Sequence, residues 1–152
     1  MRPNILNSLR ERILLSDGGM GTELQRLGLE PGGCGEIWNV EHPEKVKTVH
    51  RSFLEAGAQL ITTNSFRGNR FALGLYGHEG RVRELNRAAA QLAREVAGEA
   101  AWVLGSIGPF GGFLEPLGET PAQQVFDAFR EQAGALVEGG VDAIVVETMT
   151  AT

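Results

Sequence analysis

Four places in this chain carry glycine, acidic, hydroxyl or amide residues directly after a short apolar run. They are Ser16-Asp17-Gly18-Gly19-Met20-Gly21, Thr62-Thr63-Asn64-Ser65-Phe66, Gly105-Ser106-Ile107-Gly108-Pro109 and Glu147-Thr148-Met149. Asp17 sets a carboxylate beside Gly18 and Gly19, which lack a Cβ and permit both unusual torsions and close ligand approach. The same glycines equally suit a tight strand-to-helix turn. No Gly-Lys-Ser/Thr follows, and the glycine spacing is not that of a dinucleotide site. Thr63 and Asn64 offer a hydroxyl and an amide. Glu147 ends an apolar run, where a carboxylate needs a partner: a ligand ammonium, or an arginine such as Arg67 or Arg70. If Asp17, Thr63, Asn64 and Glu147 meet, anions face an ammonium and donors face a carboxylate, which suits a zwitterionic α-amino acid.

The elements that position these residues follow from hydrophobic pattern. Ile13-Leu14-Leu15, Leu60-Ile61-Thr62, Trp102-Val103-Leu104 and Ala143-Ile144-Val145-Val146 are β-rich and continuous, as in strands buried on both faces of a parallel sheet. Between them the period is helical. Residues 43–56 put Val46, Val49, Phe53 and Leu54 on one face, with Pro43 at the first position and Gly57 past the end. Residues 79–97 repeat Val82, Leu85, Ala89, Leu92 and Val96, and the charges between them read as a solvated face. Thr120-Pro121-Ala122-Gln123 reads as a capping box opening a helix that stops at Gly139-Gly140. Strand starts recur at roughly forty residues, the length of a β/α unit, and right-handed crossovers make the strands parallel. The strand ends then gather at one mouth of the sheet, the usual place for an active site in such folds.

Composition narrows the partners. The chain has 152 residues, 42% hydrophobic and 22% charged, with a formal charge of −5, so no basic footprint for nucleic acid is expected. No apolar run reaches the roughly 18 residues of a membrane span, and the first residues are polar, so a cytoplasmic protein is expected. The one cysteine, Cys34, cannot form an internal disulfide or, alone, a structural zinc site.

From Ile13 onward the sequence resembles the homocysteine S-methyltransferase family. The marks are Asp17-Gly-Gly-Met-Gly-Thr22, Glu36-Ile-Trp-Asn39, His42-Pro-Glu44, His50 with Ala56-Gly-Ala58, and Thr62-Thr-Asn-Ser-Phe66. They continue with Asn86, Ala93-Arg94, Gly105-Ser-Ile-Gly-Pro109, Gln132, and Gly139-Gly-Val-Asp142 leading to Glu147-Thr148. The resemblance implies an α/β fold, the first half of a TIM (β/α)8 barrel of about four β/α units, with residues 1–152 forming a partial barrel domain cut after its fourth strand. It implies methyl transfer to the homocysteine thiol, giving methionine. Asp17, Gly18, Gly19, Thr63 and Asn64 would line the homocysteine pocket and Glu147 would hold the ammonium; no catalytic residue is assigned. Ser65 stands where threonine is common and Gly19 where alanine often appears.

Zinc is the expected cofactor of the complete enzyme, since coordination lowers the thiol's pKa. The family's three zinc-binding cysteines, one after the sixth strand and a pair after the eighth, fall beyond Thr152, so no metal ligand is expected in this chain. Cys34 lies outside those positions; His42 and His50 read as structural and His78 as a loop residue. Trp38, Phe110 and Phe113 read as packing. The donor is open among methylfolate, methylcobalamin, betaine and S-methylmethionine, and the fragment alone is expected to be inactive. Two alternatives stand beside this reading. One is a non-catalytic half-barrel that binds an amino acid or assembles with a complementary half or a second copy; the other is a barrel enzyme using Asp17 and Glu147 as an acid-base pair.

Overall fold

A computed structural model describes residues 4–150. Its centre is a parallel sheet in the order β1 (Leu60–Thr62), β2 (Trp102–Ile107), β3 (Ala143–Val146). Leu60 is in register with Trp102 and Leu104 with Ala143. The helices are α1 (Ile5–Glu11), α2 (Met20–Arg26), α3 (Trp38–Glu41), α4 (Pro43–Glu55), α5 (Arg70–Gly74), α6 (Val82–Ala97) and α7 (Ala122–Gly139). A 3-10 turn at Glu79–Arg81 leads into α6.

Alternation along the strands sorts the side chains between two faces. Ile61 and Val103 pack with Ala58, Ala93, Ala97 and Ala101, the alanines letting α6 lie close to the sheet. On the other face Leu60 and Trp102 meet Leu14 and Ile5, so α1 covers the lower end of the sheet. The upper end of that face is left to polar residues. Ala90 of α6 and Leu136 of α7 pack in one cluster with Ile107 of β2. The two helices approach so closely that a Cβ on Gly139 would stand 2.5 Å from Ala90 Cβ. Gly140 then takes φ 95°, a left-handed stop that only glycine adopts freely, and its N–H donates to the Leu136 and Val137 carbonyls.

Two expectations are corrected. Residues 13–15 do not form a ladder: Gln59 and Leu60 N–H groups both donate to Leu15 O, Asp17 N–H donates to Leu60 O, and only Ser16 bridges Leu60. Leu14 turns inward, whereas Ile13 is 95% and Leu15 57% exposed, so the run is an edge paired on one side over little more than one repeat. Thr120 is not a cap either. Pro121 occupies the N-cap of α7 with no side-chain hydrogen bond, while Thr120 O accepts from Glu115 N in a bridge with Leu114. By contrast Pro43 opens α4 as expected, and Gly57 follows it at φ 99°.

Candidate functional site

The upper strand ends enclose a cavity of about 650 Å3. All six expected residues, Asp17, Gly18, Gly19, Thr63, Asn64 and Glu147, line it. Parity explains most of the rest: Thr62 follows Leu60 on the same face, Ser106 follows Trp102 and Leu104, and Glu147 follows Ala143 and Val145.

Asp17 sits where the edge segment leaves β1. Its carboxylate accepts from Thr62 N–H at 2.8 Å, from the Thr62 hydroxyl at 3.0 and 3.1 Å, and from the Ser16 hydroxyl at 3.3 Å. Burial nevertheless pushes its pKa above the ordinary Asp value, against the lowering effect of those hydrogen bonds. Gly18 and Gly19 need no left-handed torsion; Gly19 is the N-cap of α2 at φ −67°. What Gly18 supplies is space, because a Cβ there would meet the Phe53 ring at 3.1 Å.

Thr63 is buried, and its hydroxyl is committed to Ser65 Oγ at 2.6 Å and to Ser106 N–H at 3.0 Å. Asn64 donates to Gly35 O at 2.8 Å and to Asn39 Oδ1 at 3.0 Å. Glu147 accepts from the Ser106 hydroxyl at 2.6 Å, and its N–H donates to Ile107 O. Neither arginine weighed from the sequence is its partner: Arg70 pairs with Glu131 at 2.6 Å, and Arg67 donates to Tyr76 Oη at 3.1 Å. The next residue, Thr148, has φ 60°, a region costly for a β-branched side chain and most often held at functional sites.

Three site residues were not singled out by the sequence reading. Thr62 and Ser106 brace the two carboxylates, and strand parity would have found both. Glu36 lies in an irregular loop with no periodic signal. It is buried in the cavity wall, accepting from Arg67 N–H at 2.8 Å and from the Cys34 thiol. Asp17, Glu36 and Glu147 thus face a cavity whose lining includes one cationic side chain, Arg67, among the described residues. Such a balance attracts an ammonium group.

Among the described residues no group of three or more His, Cys, Asp or Glu side chains is placed to bind a metal ion. Cys34 is buried, and burial followed by the Glu36 charge raises its pKa, so it stays a thiol rather than a thiolate ligand. His42 stacks edge-on against Trp38, and His50 is fully buried without a hydrogen-bond partner.

Fold and site together define an α/β protein of parallel β/α units with an acidic cavity at the strand ends. The chain belongs to the homocysteine S-methyltransferase family, whose model matches residues 14–152. It is 40% identical over 159 aligned residues to the methionine synthases of Mycobacterium leprae (strain TN) and Mycobacterium tuberculosis (strain ATCC 25618 / H37Rv). Each alignment spans 95% of this chain and 13% of the relative, so the chain corresponds to a small part of those proteins. The metallated form of the homocysteine methyltransferase MmuM from Escherichia coli superposes with a TM-score of 0.80 at 27% identity, over 95% of this chain and 57% of that one. Its apo form gives 0.67 at 30% identity, over 97% and 53%. The chain therefore supplies the β/α units of about half of that fold.

Proposed function

We propose that this chain is the homocysteine-binding part of a homocysteine S-methyltransferase, in which a methyl group passes to the homocysteine sulfur to give methionine. The observation that carries this reading is the convergence of Asp17 and Glu147, braced by Thr62 and Ser106, on one cavity. Those carboxylates receive the ammonium, and Gly18 and Gly19 leave room for the amino acid's backbone. Transfer needs a thiolate, the sulfur losing its proton before it forms the S–CH3 bond and the donor loses its methyl group. No histidine or lysine lines the cavity among the described residues, and the role proposed for Asp17 and Glu147 is to orient the amino acid by its ammonium. The zinc expected of the complete enzyme would need ligands outside these residues, and no step is derived through it. The methyl donor is left open among methylfolate, methylcobalamin, betaine and S-methylmethionine. We place the protein in the cytoplasm; among the described residues no helix is long and apolar enough to cross a membrane.

Calorimetry tests the binding role. L-homocysteine and L-methionine are expected to bind the chain, and N-acetyl-L-homocysteine, whose ammonium is blocked, is not. Equal binding of the acetylated compound, or no binding of homocysteine, removes the reading. Ser106→Ala strips Glu147 of its hydroxyl donor and is expected to weaken homocysteine binding about tenfold, the worth of one charge-assisted hydrogen bond. An unchanged dissociation constant would mean that the Ser106 brace is not needed for Glu147 to hold the ammonium.

A second reading has its own observation. Ile13, Leu15 and Val146, at the two outer margins of the sheet, are 95%, 57% and 63% exposed, and unpaired apolar margins favour assembly with a complementary half-barrel or a second copy. Sedimentation decides it: a monomer that stays soluble counts against assembly.

A further inference from the structure

The loop between β1 and α5 carries Thr63, Asn64, Ser65, Phe66 and Arg67 along the cavity wall, and three side chains that do not line the cavity grip its backbone. Asn39 of α3 donates from Nδ2 to Asn64 O at 2.8 Å. Gln132 of α7 donates from Nε2 to Ser65 O at 2.7 Å. Asn86 of α6 donates from Nδ2 to Gly68 O at 2.8 Å. Gly108 N–H holds Phe66 O, and Glu36 holds Arg67 N–H. Asn39, Gln132 and Asn86 are 3%, 0% and 1% exposed. Two of them converge under Gly68, where an added Cβ would collide with Asn86 and stand 2.9 Å from Gln132 Nε2.

Stability alone is a poor reason for these side chains. Asn86 Oδ1 and Gln132 Oε1 are buried without partners, and each such orphan costs about 1–3 kcal/mol that an apolar residue of the same shape would not incur. What the amides do achieve is directional: helices from three points of the chain each fix one carbonyl of a single loop, against an irregular backbone that has no ladder to hold it.

We propose that Asn39, Asn86 and Gln132 are positioning residues that lock the β1–α5 loop from behind and so set the affinity of the cavity for its amino acid without touching it. This deepens the homocysteine reading and rests on it. The test compares the full chain with Gln132→Met, which removes the donor at nearly constant volume, and with Leu54→Ala, which weakens the packing beneath the sheet away from the loop. Homocysteine affinity, urea stability and amide hydrogen exchange over residues 63–69 are read for each. Gln132→Met is expected to weaken homocysteine binding about tenfold or more and to speed exchange in that segment selectively, while Leu54→Ala loses stability and keeps its affinity within about twofold. The proposal is overturned if Gln132→Met keeps both parental affinity and parental exchange, or if its affinity falls only in step with stability as in Leu54→Ala. Should Gln132→Met fail to fold, Asn86→Leu, from a different helix, is judged by the same two criteria. If the parent chain does not bind homocysteine, the functional reading fails, and the exchange measurement still decides whether the amides hold the loop.

Discussion

Asp17→Asn is expected to weaken homocysteine binding about 100-fold, on the order of 3 kcal/mol, while raising the stability of the unliganded protein at neutral pH. The two effects share one cause. Burial raises the pKa of Asp17 above its value in the unfolded chain, so the ionised form is disfavoured by folding. The stabilising contribution of a group shifted in this direction is fully present below the unfolded value of 3.8 and is lost as pH rises through the folded value. At neutral pH the carboxylate is therefore a liability to the empty fold, tolerated because the Thr62 hydroxyl and N–H and the Ser16 hydroxyl partly compensate it. An asparagine keeps an acceptor for Thr62 N–H and gains a donor for the Thr62 hydroxyl, so the brace survives without the charge. On the proposed homocysteine reading, a bound ammonium offsets the desolvation in the parent, and that attraction is what the variant loses. For the same reason parental affinity should decline on acidification at a higher pH than an ordinary aspartate would give. Urea unfolding and calorimetry on the same samples check both halves. A variant that is destabilised yet binds normally would make Asp17 a brace for Thr62 and nothing more.

The sites where sequence reading succeeded and failed separate along physical lines. Where an element is long enough to show its period, the sequence reveals it: α4, α6 and α7 span 13, 16 and 18 residues and fall where the apolar spacing puts them. The helices α1, α2, α3 and α5 have 7, 7, 4 and 5 residues, too few turns to display a face, and none is foreseen. The Ile13–Leu15 run has strand composition, but a ladder is a property of the partner as much as of the segment, and only Leu15 to Asp17 find one. Choosing Thr63 over Thr62 reflects the same limit. Both line the cavity, yet the alternation set by buried Ile61 directs the Thr62 hydroxyl to Asp17, whereas that of Thr63 closes the seam toward Ser106. Asn86 and Gln132 did leave a signal, since each interrupts a buried apolar helix face with an amide. Reading that interruption as a grip on a distant loop needs the third dimension. Glu36 stood out only as one mark of the family resemblance, because nothing in an irregular glycine-rich segment says which side chain turns inward.

Stability is expected to fall by about 3 kcal/mol between pH 6.5 and pH 4 because of His50 alone, and His50→Leu should erase that part of the acid sensitivity. His50 lies on the buried face of α4 beside Val46 and Val49, fully buried, with both ring nitrogens lacking a hydrogen-bond partner. Burial, with no neighbouring charge to counter it, lowers its pKa from 6.5 to about 4. In the unfolded chain the imidazole takes up its proton near pH 6.5; in the folded protein it resists until about pH 4. Across that window the unfolded state holds more protons, so acidification favours unfolding by about 1.4 kcal/mol per pH unit. The contribution is complete above pH 6.5 and lost progressively as pH falls through the folded value. Leucine is close to histidine in volume and removes both the titration and the orphaned ring N–H, so the variant should match or exceed the parent at pH 7 and exceed it clearly at pH 4.5. The Asp17 contribution runs the other way, its charge ceasing to oppose folding as pH drops, which is why the parent's acid profile should steepen in Asp17→Asn and flatten in His50→Leu. Urea midpoints at pH 7, 5.5 and 4.5 for the three proteins check this. Parallel acid profiles for parent and His50→Leu would show that the imidazole gains its proton without unfolding the core around it.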